Sequence, residues 1–113
     1  MIESYDFGSI RVRGRNYSSD LIIFPDHVRP NWWRKEGHRL CIEDLEEVVN
    51  RKPEVLVIGT GYSGLMRVPE EVKRYMAERG IEVIVQPTKD ACETFNRLLR
   101  SGRKVAAALH LTC

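Results

Sequence analysis

The pattern of apolar and polar positions changes character partway along the chain. In the first third, Ile10 and Val12 alternate with Arg11 and Arg13, the two-residue period of a half-buried strand. Gly14-Arg15-Asn16 reads as a turn, and "DFGS" places a further turn before that strand. "SDLIIFP" is a second strand that stops at Pro25. This region predicts antiparallel β hairpins. Residues Arg29 to Arg39 are polar, contain Pro30 and Gly37, and predict a loop or an irregular hairpin that carries Trp32 and Trp33. "CIEDLEEVVNRKP" then shifts to a helical period, with Ile42, Leu45, Val48 and Val49 on one face and Pro53 as the stop.

Beyond Pro53 the elements alternate strand, helix, strand, helix, strand. "EVLVIG" is a continuous β-branched run, as a strand covered on both faces requires. "PEEVKRYMAERG" predicts a helix with Pro69 in its first position, a stripe of Val72, Tyr75 and Met76, and Gly80 at its end. "IEVIVQP" is the next strand. "TKDACETFNRLLRSG" predicts a helix with Thr88 as N-cap, Gly102 as C-cap and a stripe of Ala91, Phe95, Leu98 and Leu99. "KVAAALHL" is the last strand, and its three alanines allow a helix to pack closely. The expected fold is a single α/β domain over residues 1–113: N-terminal antiparallel hairpins, then a parallel β-α-β-α-β unit with right-handed crossovers.

Between the first strand of that unit and its helix lies Gly59-Thr60-Gly61-Tyr62-Ser63-Gly64, which spells G-x-G-x-x-G. Such a turn can point main-chain N–H groups at a phosphate. Two parts of the dinucleotide fingerprint are missing. Leu65 to Val68 separate the glycines from the helix start, and the next strand ends in Gln86-Pro87-Thr88 with no acidic residue for a ribose. No Gly-Lys-Ser/Thr follows, which excludes a P-loop. Three readings stay open, in falling order: a tight turn after a buried strand, a cleft for a small anionic or polar ligand, and a dinucleotide site. The second and third make the alternative function a small-molecule or nucleotide/anion-binding protein. The cleft would be lined by Gly59, Thr60, Gly61, Tyr62, Ser63, Gly64, Arg67, Thr88 and Lys89, at the carboxyl ends of the parallel strands. No cofactor is implied.

Other chemistry-bearing residues read more plainly. His27, His38 and Cys41 have the spacing H-x10-H-x2-C, which lacks a fourth ligand, so no metal site is expected. His38 is read as a loop histidine bonded to the main chain, and His110 as a satisfied histidine near the sheet's end. A Ser63–His110–Asp triad is discounted, because "GTGYSG" is not a nucleophile elbow. Cys92 reads as a small buried hydrophobe rather than a reactive thiol. Arg97, Arg100, Arg103 and Lys104 complement a helix C-terminus. Adjacent Trp32 and Trp33 point opposite ways on an extended segment, one inward and one free to meet a partner. No catalytic constellation is evident.

Composition narrows the classes. The chain of 113 residues is 42% hydrophobic and 30% charged, with a net charge of +2. Residues 1–50 carry 7 basic and 9 acidic side chains, and residues 51–113 carry 11 and 7. That asymmetry falls short of the basic face of a nucleic-acid binder. Three widely spaced cysteines argue against a disulfide scaffold. The first twenty residues hold no uninterrupted apolar signal core, and the longest apolar run is Val105 to Leu109. The expectation is a cytoplasmic protein with no membrane segment.

"VIGTG", "TKDACETFN", "GRKVAAALHLTC" and the earlier Trp33…Gly37-His38…Leu40 together resemble one family. It is the small single-domain α/β family that includes the adipogenesis-associated domain-containing protein and, more distantly, mitochondrial complex I assembly factor three. The resemblance covers nearly the whole chain. It implies a three-layer α/β domain with a mixed central sheet, no established enzyme activity, and eukaryotic relatives that act through protein partners. The resulting expectation is a non-enzymatic binding or assembly-type module whose partner is another protein or a second copy of the chain.

Overall fold

The computed structural model describes residues 1–113 and places eight strands and three helices around one mixed sheet. Strands β1 (Ile2–Asp6), β2 (Ser9–Val12) and β3 (Arg15–Tyr17) form a three-stranded antiparallel meander. Strands β4 (Leu21–Ile23) and β5 (Val28–Arg29) form a hairpin on the edge of the main sheet. After a 3₁₀ turn (Ile42–Leu45) and helix α1 (Glu46–Arg51) come β6 (Val55–Thr60), α2 (Glu70–Ala77), β7 (Glu82–Gln86), α3 (Thr88–Arg100) and β8 (Val105–His110). The main sheet runs β5-β4-β8-β6-β7. β6 is parallel to both β7 and β8, whereas β4 is antiparallel to β8. The expected antiparallel hairpins and parallel β-α-β-α-β unit are both present; the β4–β5 hairpin joins the sheet of the parallel unit, whereas β1–β3 form a sheet of their own.

Two apolar layers cover the sheet. On one face, α3 (Ala91, Phe95, Leu98) and the meander (Ile2, Ile10, Val12) pack on Val55, Val57, Ala107 and Leu109. On the other, Leu45, Val48, Val72, Met76 and Trp32 pack on Leu56, Ile58, Ala106 and Ala108. The parity of these positions along β6 and β8 is the two-residue period of a strand buried on both sides. A hydrogen-bond pair ties the meander to α3: Ile2 N donates to Asn96 Oδ1 at 2.9 Å, and Asn96 Nδ2 donates to the Ile2 carbonyl at 2.8 Å.

Local boundaries differ from the sequence reading at several places. The turn expected at Gly14-Arg15-Asn16 sits one position earlier, because Arg13 and Gly14 both take positive φ and Arg15 and Asn16 already belong to β3. "DFGS" turns between β1 and β2 rather than ahead of the first strand, since residues 2–6 are themselves a strand. Pro69 is the N-cap of α2, not its first helical residue. The single helix expected from Cys41 begins as a 3₁₀ turn, with Asp44 Oδ2 accepting the Cys41 N–H at 2.8 Å. It stops at Lys52, whose φ is +49.

Candidate functional site

The carboxyl ends of β6 and β8 lie side by side, and the G-x-G-x-x-G turn leaves the sheet there. Gly59 is packed from two directions. A Cβ at this position would stand 2.8 Å from both Leu109 Cδ2 and Thr88 Oγ1. Gly61 has φ +110, and a Cβ there would meet the Cys113 main chain at 2.6 Å. Glycine is required at each by close approach, and at Gly61 also by backbone conformation.

Four main-chain donors in and just after the turn are bonded within the chain. Gly61 N–H donates to Thr88 Oγ1 at 2.8 Å, Tyr62 N–H to the Thr112 carbonyl at 2.7 Å, and Leu65 N–H to the Cys113 carbonyl at 3.3 Å. Gly64 N–H donates to the Gly61 carbonyl at 3.2 Å. Residues 112–113 thus lie where an anion would face the turn. Thr88 is not an N-cap: that position is Pro87, and Thr88 is the first residue of α3. Its buried hydroxyl instead accepts from Gly61 and donates to the His110 carbonyl at 2.6 Å, joining turn, helix and β8. Thr60 is buried, and its hydroxyl donates to the Gln86 carbonyl. Ser63, Arg67 and Lys89 are exposed. Arg67 joins the main chain of residues 38–40 through N–H to His38 O and its own carbonyl to Leu40 N–H. Tyr62 stands outward with its ring centroid 5.6 Å from that of Phe7.

A few residues away lies a polar cluster with no local sequence signature. His110 is buried at the end of β8. Its Nδ1 is 2.7 Å from Asp20 Oδ2 and 3.1 Å from Arg34 Nη2. Arg34 Nη1 is 2.8 Å from the same carboxylate, and Leu111 N–H donates to Asp20 Oδ1 at 2.7 Å. A nitrogen facing a carboxylate this closely carries the proton, so Nδ1–H donates to Asp20. Burial is the largest influence on the Asp20 carboxyl and raises its pKa, but the hydrogen bonds from His110, Leu111 and Arg34 together outweigh it and hold it below the usual range. His110 Nε2 is buried and has no partner. His38 and Cys113 stand nearby. The His38 and His110 ring centroids are 5.9 Å apart, and Cys113 Sγ is 3.5 Å from His38 Nε2.

His38 therefore meets a thiol and a second imidazole, not the main chain as its loop position suggested, and His110 is satisfied at one nitrogen only. The His27–His38–Cys41 grouping is not assembled. His27 lies between Asp26 and Glu47 and stacks on Phe24. Cys92 is buried, and burial followed by the neighbouring Glu93 charge pushes its pKa up to about 12. Trp32 is buried, donates Nε1–H to the Asp44 carbonyl at 2.9 Å, and lies under the Arg34 guanidinium. Trp33 is 84% exposed, so the two adjacent rings differ in burial as expected.

A groove of about 690 Å³ runs beside Trp33, between the Arg29–Trp33 segment and α1. Its walls carry Glu43, Asp44, Glu46 and Glu47 with Arg29 and Arg51. Its acidic side chains all come from the run Glu43-Asp44-Leu45-Glu46-Glu47, but the opposite wall comes from the Arg29–Trp33 segment, which only the fold brings there.

The chain belongs to the family described as protein of unknown function (DUF498/DUF598), whose pattern matches residues 2–110. It is 33% identical over 111 residues to the human NADH dehydrogenase [ubiquinone] 1 alpha subcomplex assembly factor 3, and 38% identical over 103 residues to the Danio rerio protein of the same name. These matches cover 96% and 86% of this chain but 59% of each relative, so the chain spans less than two thirds of their length. Among solved structures, a conserved hypothetical protein from Pyrococcus horikoshii superposes with a TM-score of 0.83 at 27% identity, covering 100% of this chain and 99% of that one. An outer membrane protein from Bartonella henselae superposes with a TM-score of 0.85 at 32% identity, covering 99% and 94%. The resemblance read from the sequence and its mixed α/β fold are those of this family. No helix of the chain is long and apolar enough to cross a membrane.

Proposed function

We propose that the domain is a non-enzymatic binding module of assembly type, which holds a protein partner at the groove beside Trp33. The observation that carries this reading is the contrast between the two tryptophans. Trp32 is pinned by its hydrogen bond to Asp44 and by Arg34, while Trp33 stands 84% exposed on the same short segment. A large aromatic side chain held on a rigid support loses little entropy when it is covered, which is the physical basis of a binding hot spot. Along the groove Glu47 is paired with Arg29 and His27, Glu43 with Lys35, and Asp44 accepts the Cys41 N–H, which leaves Glu46 as the wall carboxylate outside any such pairing, suited to a basic side chain of a partner segment. The assembly-factor name of the relatives supports the same class of role. At the glycine turn, by contrast, the Gly61 and Tyr62 N–H groups already have partners in Thr88 and Thr112, which favours the groove as the place of binding. Three free cysteines fit a reducing, cytoplasmic setting.

The test is affinity purification with crosslinking from the native host, using the parent and Trp33→Ala chains side by side. The expected result is a protein recovered repeatedly with the parent and lost with Trp33→Ala, at an unchanged melting temperature. A second copy of the chain, detected as a dimer that Trp33→Ala dissolves, would also support the reading. No recovered partner together with a monomeric native mass would overturn it.

A further inference from the structure

His38, His110 and Cys113 each present one ligand-capable atom, and these three atoms lie within 4.8 Å of one another. We propose that they form a three-ligand site for a divalent ion of the zinc class, with a further coordination position open to solvent or a partner's side chain. A second, independent observation points the same way. His110 Nε2 is buried and has no hydrogen-bond partner, although the rest of the ring is held firmly. An orphaned buried nitrogen carries a desolvation penalty that a metal ion would relieve.

The tautomer follows from the surroundings. His110 Nδ1–H donates to Asp20, so the tautomer it fixes has its lone pair on Nε2, the form that binds metal. A carboxylate behind a ligating histidine is the usual means of fixing ring orientation at such sites. Asp20 is itself anchored by Arg34 and the Leu111 main chain, so the arm is rigid at its base.

One donor pair already has the spacing of a tetrahedral ion. With metal–nitrogen and metal–sulfur bonds of about 2.0–2.1 and 2.3 Å, a tetrahedral angle separates the two donors by about 3.5 Å. Cys113 Sγ and His38 Nε2 are 3.5 Å apart. His110 is buried at the floor of the site, while the His38 and Cys113 side chains are exposed above it. A thiolate and two imidazoles form a borderline-soft donor set, which selects zinc over magnesium or calcium. A bound ion would join three segments, the loop after Trp33, the end of β8 and residues 112–113, and so would brace the loop that carries the exposed tryptophan.

The experiment uses tag-free full-length chain, reduced and treated with chelator, then titrated with Co²⁺. The expected result is one equivalent bound, with visible ligand-field bands of a tetrahedral site and a near-ultraviolet thiolate charge-transfer band. Zn²⁺ should bleach both. Cys113→Ser should abolish the charge-transfer band, and His38→Gln should weaken binding by about tenfold or more. Both side chains are exposed, so these variants should keep the parent's circular dichroism even if His110→Ala does not fold. Absence of bands in the parent would overturn the proposal. So would bands unchanged in Cys113→Ser, or bands lost only on Cys41→Ser.

Discussion

Asp20 Oδ2 accepts the Nδ1 proton of His110 at 2.7 Å, across 90 positions of sequence. The contact ties the residue before β4 to the last residue of β8, the two antiparallel neighbours that fuse the N-terminal hairpins to the parallel unit. Asp20 also receives Arg34 and the Leu111 N–H, so one carboxylate satisfies three donors.

Removing that carboxylate strands a buried guanidinium and an imidazole together. Asp20→Ala should cost about 3 kcal/mol, the usual penalty for breaking a buried ion pair by deleting one member. Urea unfolding at neutral pH measures it. A loss below about 0.5 kcal/mol, the level of an ordinary surface change, would show that the cluster is not structural.

Thr88 gives a cleaner hydrogen-bond test. Thr88→Val keeps shape but removes the acceptor for Gly61 N–H and the donor to the His110 carbonyl. Leaving both groups unpaired should cost about 2–3 kcal/mol. Thr88→Ser retains the hydroxyl and should cost clearly less. Equal losses in the two variants would mean that the methyl group, not the hydroxyl, matters. Hydrogen exchange at the Gly61 amide should accelerate in the valine variant alone.

Gly61 and Gly80 both have positive φ, but their surroundings differ. A Cβ at Gly80 meets nothing within 4 Å, whereas one at Gly61 meets Cys113 main-chain atoms at 2.6 Å. Gly80→Ala should cost about 1 kcal/mol, the left-handed penalty alone. Gly61→Ala adds displacement of residues 112–113, with loss of acceptors for Tyr62 and Leu65, and should cost about 3 kcal/mol. Comparable melting temperatures for the two variants would show that those residues do not hold the turn.

The two glycines also show why some of the molecule was legible in the sequence and some was not. The parallel unit was readable because local signals agree there. β-branched runs mark β6 and β7, Gly80 and Gly102 close the helices, and apolar stripes mark the buried faces of α2 and α3. The glycine turn was found, but what faces it comes from residues 112–113, some fifty positions on, and no period reports such a contact. Thr88 looked like a cap because threonine before a helical stripe is usually one. Its hydroxyl is drawn instead to partners 27 and 22 residues away. The histidines were grouped by spacing along the chain, which linked His38 to His27. The β4–β8 pairing, which sequence period cannot specify, sets His110 against Asp20. The tryptophan pair was readable because adjacency on an extended segment fixes opposite directions regardless of the rest of the fold.

The last prediction concerns alkaline stability. Burial, then the neighbouring Cys92 thiol and Tyr62, raise the Tyr5 pKa from 10.0 to about 12. Burial and Glu93 raise Cys92 from 9.0 to about 12. In the unfolded chain both groups lose their protons near their ordinary values, while in the folded protein they keep them. Between pH 9 and 12 the native state therefore binds more protons than the unfolded state, and stability falls as pH rises. The Cys92 contribution sets in about one unit below its ordinary value of 9.0, and that of Tyr5 about one unit below 10.0. Tyr5 donates its hydroxyl proton to the Leu111 carbonyl at 2.8 Å, so ionisation would also break a link between the meander and the end of the main sheet. Chemical denaturation at intervals from pH 7 to 11 should show a flat region followed by a decline, and Cys92→Ala should remove the part that begins near pH 8. The same burial makes Cys92 slow to alkylate in the native state, while exposed Cys113 reacts first. A native protein that labels Cys92 as fast as Cys113 at pH 8 would mean that the α3 layer opens far more readily than its packing against β6 and β8 allows.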